Sequence, residues 1–201
     1  MSRNVEIKAK LLDPQIIISR VEEIADGDPE LIEQDDTFFN CPDGRLKLRE
    51  LSANQGELIL YHRPDVSGPK TSMYVISRTS EPGTMLEILT AVLGVTGRVR
   101  KHRHLYLCGS TRIHIDYVED LGNFVELEVV LDDSDSVEAG QLIVEDLMNR
   151  LGIQRSDLVE GAYIDMILDG YGKLLHYLLW SPHFSRSVSS VYNNPPFRLP
   201  L

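Results

Sequence analysis

A chain of 201 residues, 42% hydrophobic and 25% charged, has the composition of a globular protein with room for one substantial core and too little for two ordinary domains. Its formal net charge of −11 argues against broad binding to nucleic acid or anionic lipid, which both require a net basic surface, so neither partner is expected. No apolar run approaches the roughly 20 residues that cross a bilayer, and the opening Met1-Ser2-Arg3-Asn4-Val5-Glu6 lacks the apolar stretch of a secretory signal, so a cytoplasmic location with Cys41 and Cys108 as reduced thiols is expected.

Strand patterns dominate. Val5 to Leu11 alternates as a strand, and Asp13-Pro14 supplies an N-cap and a first-turn proline for a helix running to Ile24. A strand near Gln34–Phe39 meets the turn Pro42-Asp43-Gly44 and returns as Arg45–Leu51; Gln55-Gly56 turns into Glu57–Arg63, and a loop with Pro64 and Pro69 precedes Thr71–Arg78. Ser80–Leu93 reads as a second helix stopped by Gly94. Four strands are then predicted at Arg98–Arg103, His104–Cys108, Arg112–Tyr117 and Asn123–Leu131, followed by a helix over Ser136–Leu151 and a short helix capped by Ser156 ahead of 163–168. Asp26, Asp28, Glu30, Glu33, Asp35 and Asp36, with Asp132, Asp133 and Asp135, read as solvated loops, while basic residues concentrate at 45–49 and 98–103. The division expected is a folded domain over 1–169 and a divergent tail over 170–201 in which only Lys173–Trp180 is apolar.

Successive side chains of a strand point to opposite faces, so each strand carries two rows. Asn4, Glu6, Lys8 and Lys10 share one face against Val5, Ile7 and Ala9; Arg45, Lys47 and Arg49 alternate with Leu46 and Leu48; Arg112, His114 and Asp116 with Ile113 and Ile115; Glu126 and Glu128 with Val125, Leu127 and Val129. One apolar and one ionisable face is common in a sheet wetted on one side. About eight such strands in up-and-down order can instead close into a barrel with helices over the apolar outside. A lumen of charges needs an ionic ligand, because buried charges require partners. Glu126 and Glu128, aided by Glu6, could form a carboxylate floor for Mg²⁺, and Lys and Arg opposite could bind phosphate oxygens.

At this point the sequence resembles the CYTH family, which joins class IV adenylyl cyclases to thiamine triphosphatases among the triphosphate tunnel metalloenzymes. The matching segments are Asn4-Val-Glu-Ile-Lys8 against an opening Glu-x-Glu-x-Lys, Gly44-Arg-Leu-Lys-Leu-Arg49, Tyr61-His-Arg-Pro64 followed by Lys70, Arg100-Lys-His-Arg103, and Phe124-Val-Glu-Leu-Glu128. The resemblance implies an α+β fold built on a closed eight-stranded antiparallel tunnel with helices outside, Mg²⁺ or Mn²⁺ as cofactor, and a nucleoside, thiamine or inorganic triphosphate as the small-molecule partner of a monomer or homodimer. It implies Glu6, Glu126, Glu128 and Asp116 at the metal, Lys8, Lys47, Arg49, Arg63, Arg103 and Arg112 on the phosphates, and extends the phosphate set to Arg45, Lys70 and Arg100; Lys8, Arg49 and Asp116 are expected to carry catalysis. One departure stands out: Asn4 replaces the first Glu of the opening motif, a neutral amide for a carboxylate.

Three functions compete. In hydrolysis, water attacks the terminal phosphorus; in cyclisation, the ribose 3′-hydroxyl of ATP attacks the α-phosphorus; a non-catalytic binder keeps the cations without turnover. Hydrolysis demands least of the site. His102, His104 and His114 could look like a zinc trio, but an oxygen-rich site needs no imidazole. His62 reads as a strand residue, Cys41 as a turn residue, and Tyr74 and Tyr106 as packing residues.

Overall fold

The computed structural model describes residues 2–66 and 68–170. Its framework is eight strands: β1 (Ser2–Leu11), β2 (Glu30–Phe39), β3 (Arg45–Ser52), β4 (Gln55–His62), β5 (Lys70–Thr79), β6 (Val95–Cys108), β7 (Thr111–Val118) and β8 (Gly122–Leu131). They close in the order β1-β5-β4-β3-β2-β6-β7-β8, every pairing antiparallel, so no strand edge remains unpaired. This is the expected closed barrel.

Helices α1 (Pro14–Glu22) and α3 (Val137–Leu151) lie over β1, β7 and β8. The outward rows of those strands, Val5, Ile7 and Ala9, Ile113 and Ile115, and Val125, Leu127 and Val129, are almost completely buried against Ile17, Val21, Val144, Leu147 and Leu151. Each Val, Ile or Leu among them contributes about 1.5–3 kcal/mol, which makes this layer the main stabilising core. Sequence sets the helix ends. The Asp13 carboxylate accepts from the Gln15 N–H at 3.0 Å and Ser136 Oγ accepts from the Ala139 N–H at 3.1 Å. Gly152 ends α3 at φ +73°, a left-handed conformation that favours glycine. Helix α2 (Pro82–Leu93) covers parts of β2, β3 and β4.

A second apolar cluster closes one end of the barrel. Residues 163–170 are helical, and their first turn inserts Ala162, Tyr163 and Ile164 against Phe38, Val99 and Phe124. Gly97 makes room, since a Cβ there would lie 2.5 Å from Ile164 Cδ1.

Several expected boundaries move. The two strands predicted at Arg98–Arg103 and His104–Cys108 are one 14-residue strand. Strand β2 begins at Glu30 and not near Gln34, so Glu30 and Glu33, read as loop, join Asp35 and Asp36 in one strand. Pairing with β6 along its length, and with β3 from Asp35 onward, holds this acidic segment extended where local composition reads as loop. Ser156 lies inside a short 3₁₀ turn, Arg155–Asp157, whose entry is capped by the Asp157 carboxylate accepting from the Gln154 N–H at 2.9 Å. Cys41 and Cys108 are unpaired. The expected apolar run in the tail lies outside the described residues.

Candidate functional site

The inward rows of the eight strands enclose a cavity of about 800 Å³. Lys8 and Glu6 enter it from β1, Lys47 and Arg49 from β3, Arg103 from β6, Arg112 from β7, and Glu126 and Glu128 from β8, with Arg63 following β4. Nine of the residues expected at the site therefore share one lumen, brought together from six segments that are distant in sequence.

Carboxylates gather on one wall. Glu6 and Glu128 are directly opposite across β1 and β8, as are Lys8 and Glu126. Glu126 accepts from Arg103 at 2.6 Å and lies 3.5 Å from Lys8 Nζ. Burial alone would raise its carboxyl, yet Lys101, Lys8 and Arg103 hold it well below the usual carboxylate range. Glu128 lies 3.4 Å from Arg112 and accepts from the Asn4 amide, while Glu6 pairs with Arg63. Arg63 Nε and Nη2 are buried without a hydrogen-bond partner among the described residues, Nη2 lying 4.0 Å from Asp65.

Two further groups were not predicted. Asp36, assigned above to solvated sequence, is buried in the lumen and joins Lys47 at 2.6 Å and Arg49 through Nε and Nη2 at 2.8 and 2.9 Å. Burial opposes its ionisation, but Arg49 and Lys47 keep it ionised far into acid. Lys101 also faces the cavity and donates to Asp116 at 2.8 Å. Strand parity holds the signal for Lys101: with Arg103 inward, Lys101 must share its face.

The same parity excludes Arg100, which the structure turns outward to Asp35 and Glu119 at 3.4 and 3.3 Å. Three other expected residues also stand apart from the lumen wall. Arg45 is engaged by Asp65 and Asp165 at 2.6 and 2.8 Å near the closed end. Lys70 is buried, with its ammonium on the carbonyls of Val66 and Val159 at 3.1 and 3.5 Å. Asp116 is 0% exposed and lies behind the cavity surface, accepting from Lys101, from Arg103 at 2.6 Å and from the Tyr163 hydroxyl at 3.0 Å. It fixes two cations in place and does not itself line the cavity. The Tyr163 ring lies 3.7 Å from Lys8 Nζ, so the closing segment also supports the floor.

The histidines do not meet. His104 packs against Tyr117 at 5.4 Å between ring centroids, with the rings tilted by 54°, His102 is exposed, and, of the three, His114 enters the lumen. Burial and then Arg103 lower its pKa, which favours the neutral imidazole.

Glu6, Glu126, Glu128 and the Asn4 amide oxygen, which is buried without a partner, are a hard-oxygen donor set suited to Mg²⁺ or Mn²⁺. Among the described residues no three acidic, His or Cys side chains are gathered into a metal cluster, and Glu6, Glu126 and Glu128 each pair with a cation.

Fold and site together define a closed eight-stranded tunnel lined by cations and carboxylates. The chain belongs to the CYTH domain family, whose model matches residues 2–163. No curated protein matches it. Among solved structures it resembles the PH1012 protein of Pyrococcus horikoshii, with TM-score 0.72, 22% identity and coverage of 81% of this chain and 98% of that one. It also resembles the adenylyl cyclase candidate HpAC1 of Hippeastrum, described by its dominant triphosphatase activity, with TM-score 0.61, 15% identity and coverage of 83% and 96%. An adenylate cyclase candidate from Vibrio parahaemolyticus gives TM-score 0.68 at 16% identity, covering 82% and 97%. Among the described residues no helix is long and apolar enough to cross a membrane.

Proposed function

We propose that the protein is a metal-dependent hydrolase of a triphosphate-bearing small molecule. The observation that carries this reading is the meeting, in one closed lumen, of Lys8, Lys47, Arg49, Arg63, Lys101, Arg103 and Arg112 with a wall of Glu6, Glu126 and Glu128. A polyphosphate is long enough to engage cations from several strands at once.

Glu126 and Glu128, with Glu6 and Asn4 beside them, would hold a divalent cation that neutralises phosphate charge and lowers the pKa of bound water. The chain's own residues do the rest. Lys47 and Arg49 on one wall and Lys101 and Arg103 on the next bind non-bridging oxygens and hold the terminal phosphorus in line for attack by water, so that the P–O bond to the diphosphate breaks and the diphosphate leaves. Asp116 positions Lys101 and Arg103, and Tyr163 positions Lys8. No covalent nucleophile is required. The same cage could orient the α-phosphorus of ATP for cyclisation, and the cyclase names of two structural neighbours keep that as the second reading.

Incubation with ATP, thiamine triphosphate and inorganic triphosphate, each with Mg²⁺ and with Mn²⁺, and chromatography of the products tests both. Orthophosphate with a diphosphate supports hydrolysis; cyclic AMP with pyrophosphate replaces it with cyclisation. Triphosphate binding without any product leaves a non-catalytic binder.

A further inference from the structure

One imidazole stands in the carboxylate wall. Ile113 and Ile115 turn outward into the core, which by strand parity sets His114 inward, directly opposite Glu126 across β7 and β8. Its Nδ1 lies 3.6 Å from Glu126 and its Nε2 lies 3.8 Å from Glu128, so one ring nitrogen faces each carboxylate of β8. His114 is 4% exposed, and its buried Nδ1 has no hydrogen-bond partner among the described residues. A buried polar atom left unpaired costs stability, and within a site it marks a task beyond packing.

The three carboxylates of the wall are not equally engaged. Glu126 has Arg103 at 2.6 Å and Lys8 at 3.5 Å, and Glu6 is paired with Arg63. Glu128 has, besides His114, one basic partner among the described residues, Arg112 at 3.4 Å. Added positive charge therefore gains most beside Glu128, the side that Nε2 faces. Two donors about 2.1 Å from one metal ion lie about 3.0 Å apart at a right angle and about 4.2 Å apart in line, so 3.8 Å is a separation that one ion can span. Nδ1 on the other side of the ring faces Glu126, which matches the carboxylate–histidine–metal arrangement that orients a metal-bound imidazole. The Asn4 amide oxygen, buried without a partner among the described residues, is a further neutral donor on a side chain that already donates to Glu128. Water and phosphate oxygens would take the remaining positions.

We propose that Nε2 of His114 is a direct ligand of the divalent metal, together with Glu128, and that this nitrogen shifts the site's preference from Mg²⁺ toward Mn²⁺ and Co²⁺. The proposal rests on the metal-dependent reading above and adds a ligand and a metal preference to it. Mg²⁺ is bound through oxygen and gains little from an imidazole, whereas affinity for a nitrogen donor rises from Mn²⁺ to Co²⁺ along the first transition row.

The test reads the bound metal directly. Mn²⁺ on the protein, with inorganic triphosphate present, is followed by pulsed electron paramagnetic resonance. The wild-type protein should show a directly coordinated nitrogen, and protein produced with histidine labelled with heavy nitrogen should show a changed coupling pattern. His114→Gln should abolish the coupling. In calorimetry His114→Gln should weaken Co²⁺ binding by about tenfold or more and Mg²⁺ binding by less than about threefold. The labelling experiment needs no variant and stands should His114→Gln fail to fold. A wild-type spectrum without histidine coupling, or an equal loss of Mg²⁺ and Co²⁺ affinity in the variant, would overturn the imidazole ligand and leave the carboxylate metal site standing. Failure of the wild type to bind Mg²⁺, Mn²⁺ or Co²⁺, with or without inorganic triphosphate, would remove the metal reading itself, and the ligand with it.

Discussion

The carboxylate of Asp36 accepts two hydrogen bonds from the guanidinium of Arg49, at 2.8 and 2.9 Å, inside the lumen where a phosphate would lie. Together with its contact to Lys47, this makes Asp36 a resident anion on two of the cations assigned to the ligand. A buried charge pair stabilises only while both partners are present, and removing one leaves the other uncompensated.

Asp36→Asn should therefore act in opposite directions on two measurements. The free protein should lose about 3–5 kcal/mol of stability in denaturant melts. Inorganic triphosphate should bind the variant more tightly, because it no longer shares Lys47 and Arg49 with a carboxylate. Weaker binding would show that Asp36 orients these cations more than it competes for them.

Acid should unfold the protein through its paired carboxylates. The folded-state pKa of Asp36 and of Asp116 is depressed, burial being outweighed by Arg49 and Lys47 in the first case and by Arg103 and Lys101 in the second. A depressed pKa contributes stability that is present above the unfolded value, about 3.9, and is lost as pH falls toward the folded one. Urea midpoints should fall from about pH 4 downward, and the slope should be shallower in Asp36→Asn.

At high pH ligand binding should report. Burial, and then the Arg49 charge, bring the Lys47 ammonium down to about 8, so it loses its proton well below the usual lysine range. Affinity for inorganic triphosphate without metal should fall as pH rises past 8. Lys47→Arg, whose side chain stays charged, should flatten that fall; the same decline in both proteins would assign it to another group.

Glu128→Gln should abolish metal-dependent turnover while leaving the melting curve close to that of the wild type, since a Gln of the same size keeps a carbonyl oxygen that can accept from Asn4 and from Arg112. Full activity in Glu128→Gln and in Glu126→Gln would exclude the carboxylate wall as the metal site.

Parity gives a paired test. Arg100→Ala, on the outer face, should change triphosphate affinity by less than about twofold, because its contacts are exposed ion pairs. Lys101→Ala should weaken it by about tenfold or more, the loss of one charge-assisted contact of roughly 1.5–3 kcal/mol.

Packing outside the barrel can be checked separately from the site. A Cβ on Gly140 would lie 2.9 Å from both Leu131 Cδ2 and Val5 Cγ2, so Gly140→Ala should cost about 1–3 kcal/mol by overpacking α3 on the sheet. Gly83, in α2 with nothing within 4 Å, should gain about 0.4–1 kcal/mol on substitution by Ala. Thermal melts of the two variants should move in opposite directions.

What the sequence determined by itself was everything that depends on period and local chemistry. Alternation of Val5, Ile7 and Ala9 with Asn4, Glu6 and Lys8 separates the two faces of β1, and the same period of two recurs in β3, β7 and β8, because side-chain direction on a strand is a local property. Asp13-Pro14, Ser136 and Gly152 mark helix ends because capping groups act within one turn. Parity also held Lys101 in place of Arg100, though a motif read as a block of basic residues conceals it.

Only the tertiary structure decided which charges meet. Asp36 is one acidic residue among many along the chain, and becomes a lumen residue because β2 lies between β3 and β6. Tyr163, 47 residues from Asp116, bonds to it because the last described segment folds into the end of the barrel. Arg45 and Lys70 carry the charge of phosphate ligands, yet carboxylates and carbonyls near the closed end engage them first. Partners of this kind are set by strand order and barrel closure. Both bring together residues whose separation along the chain leaves no local trace.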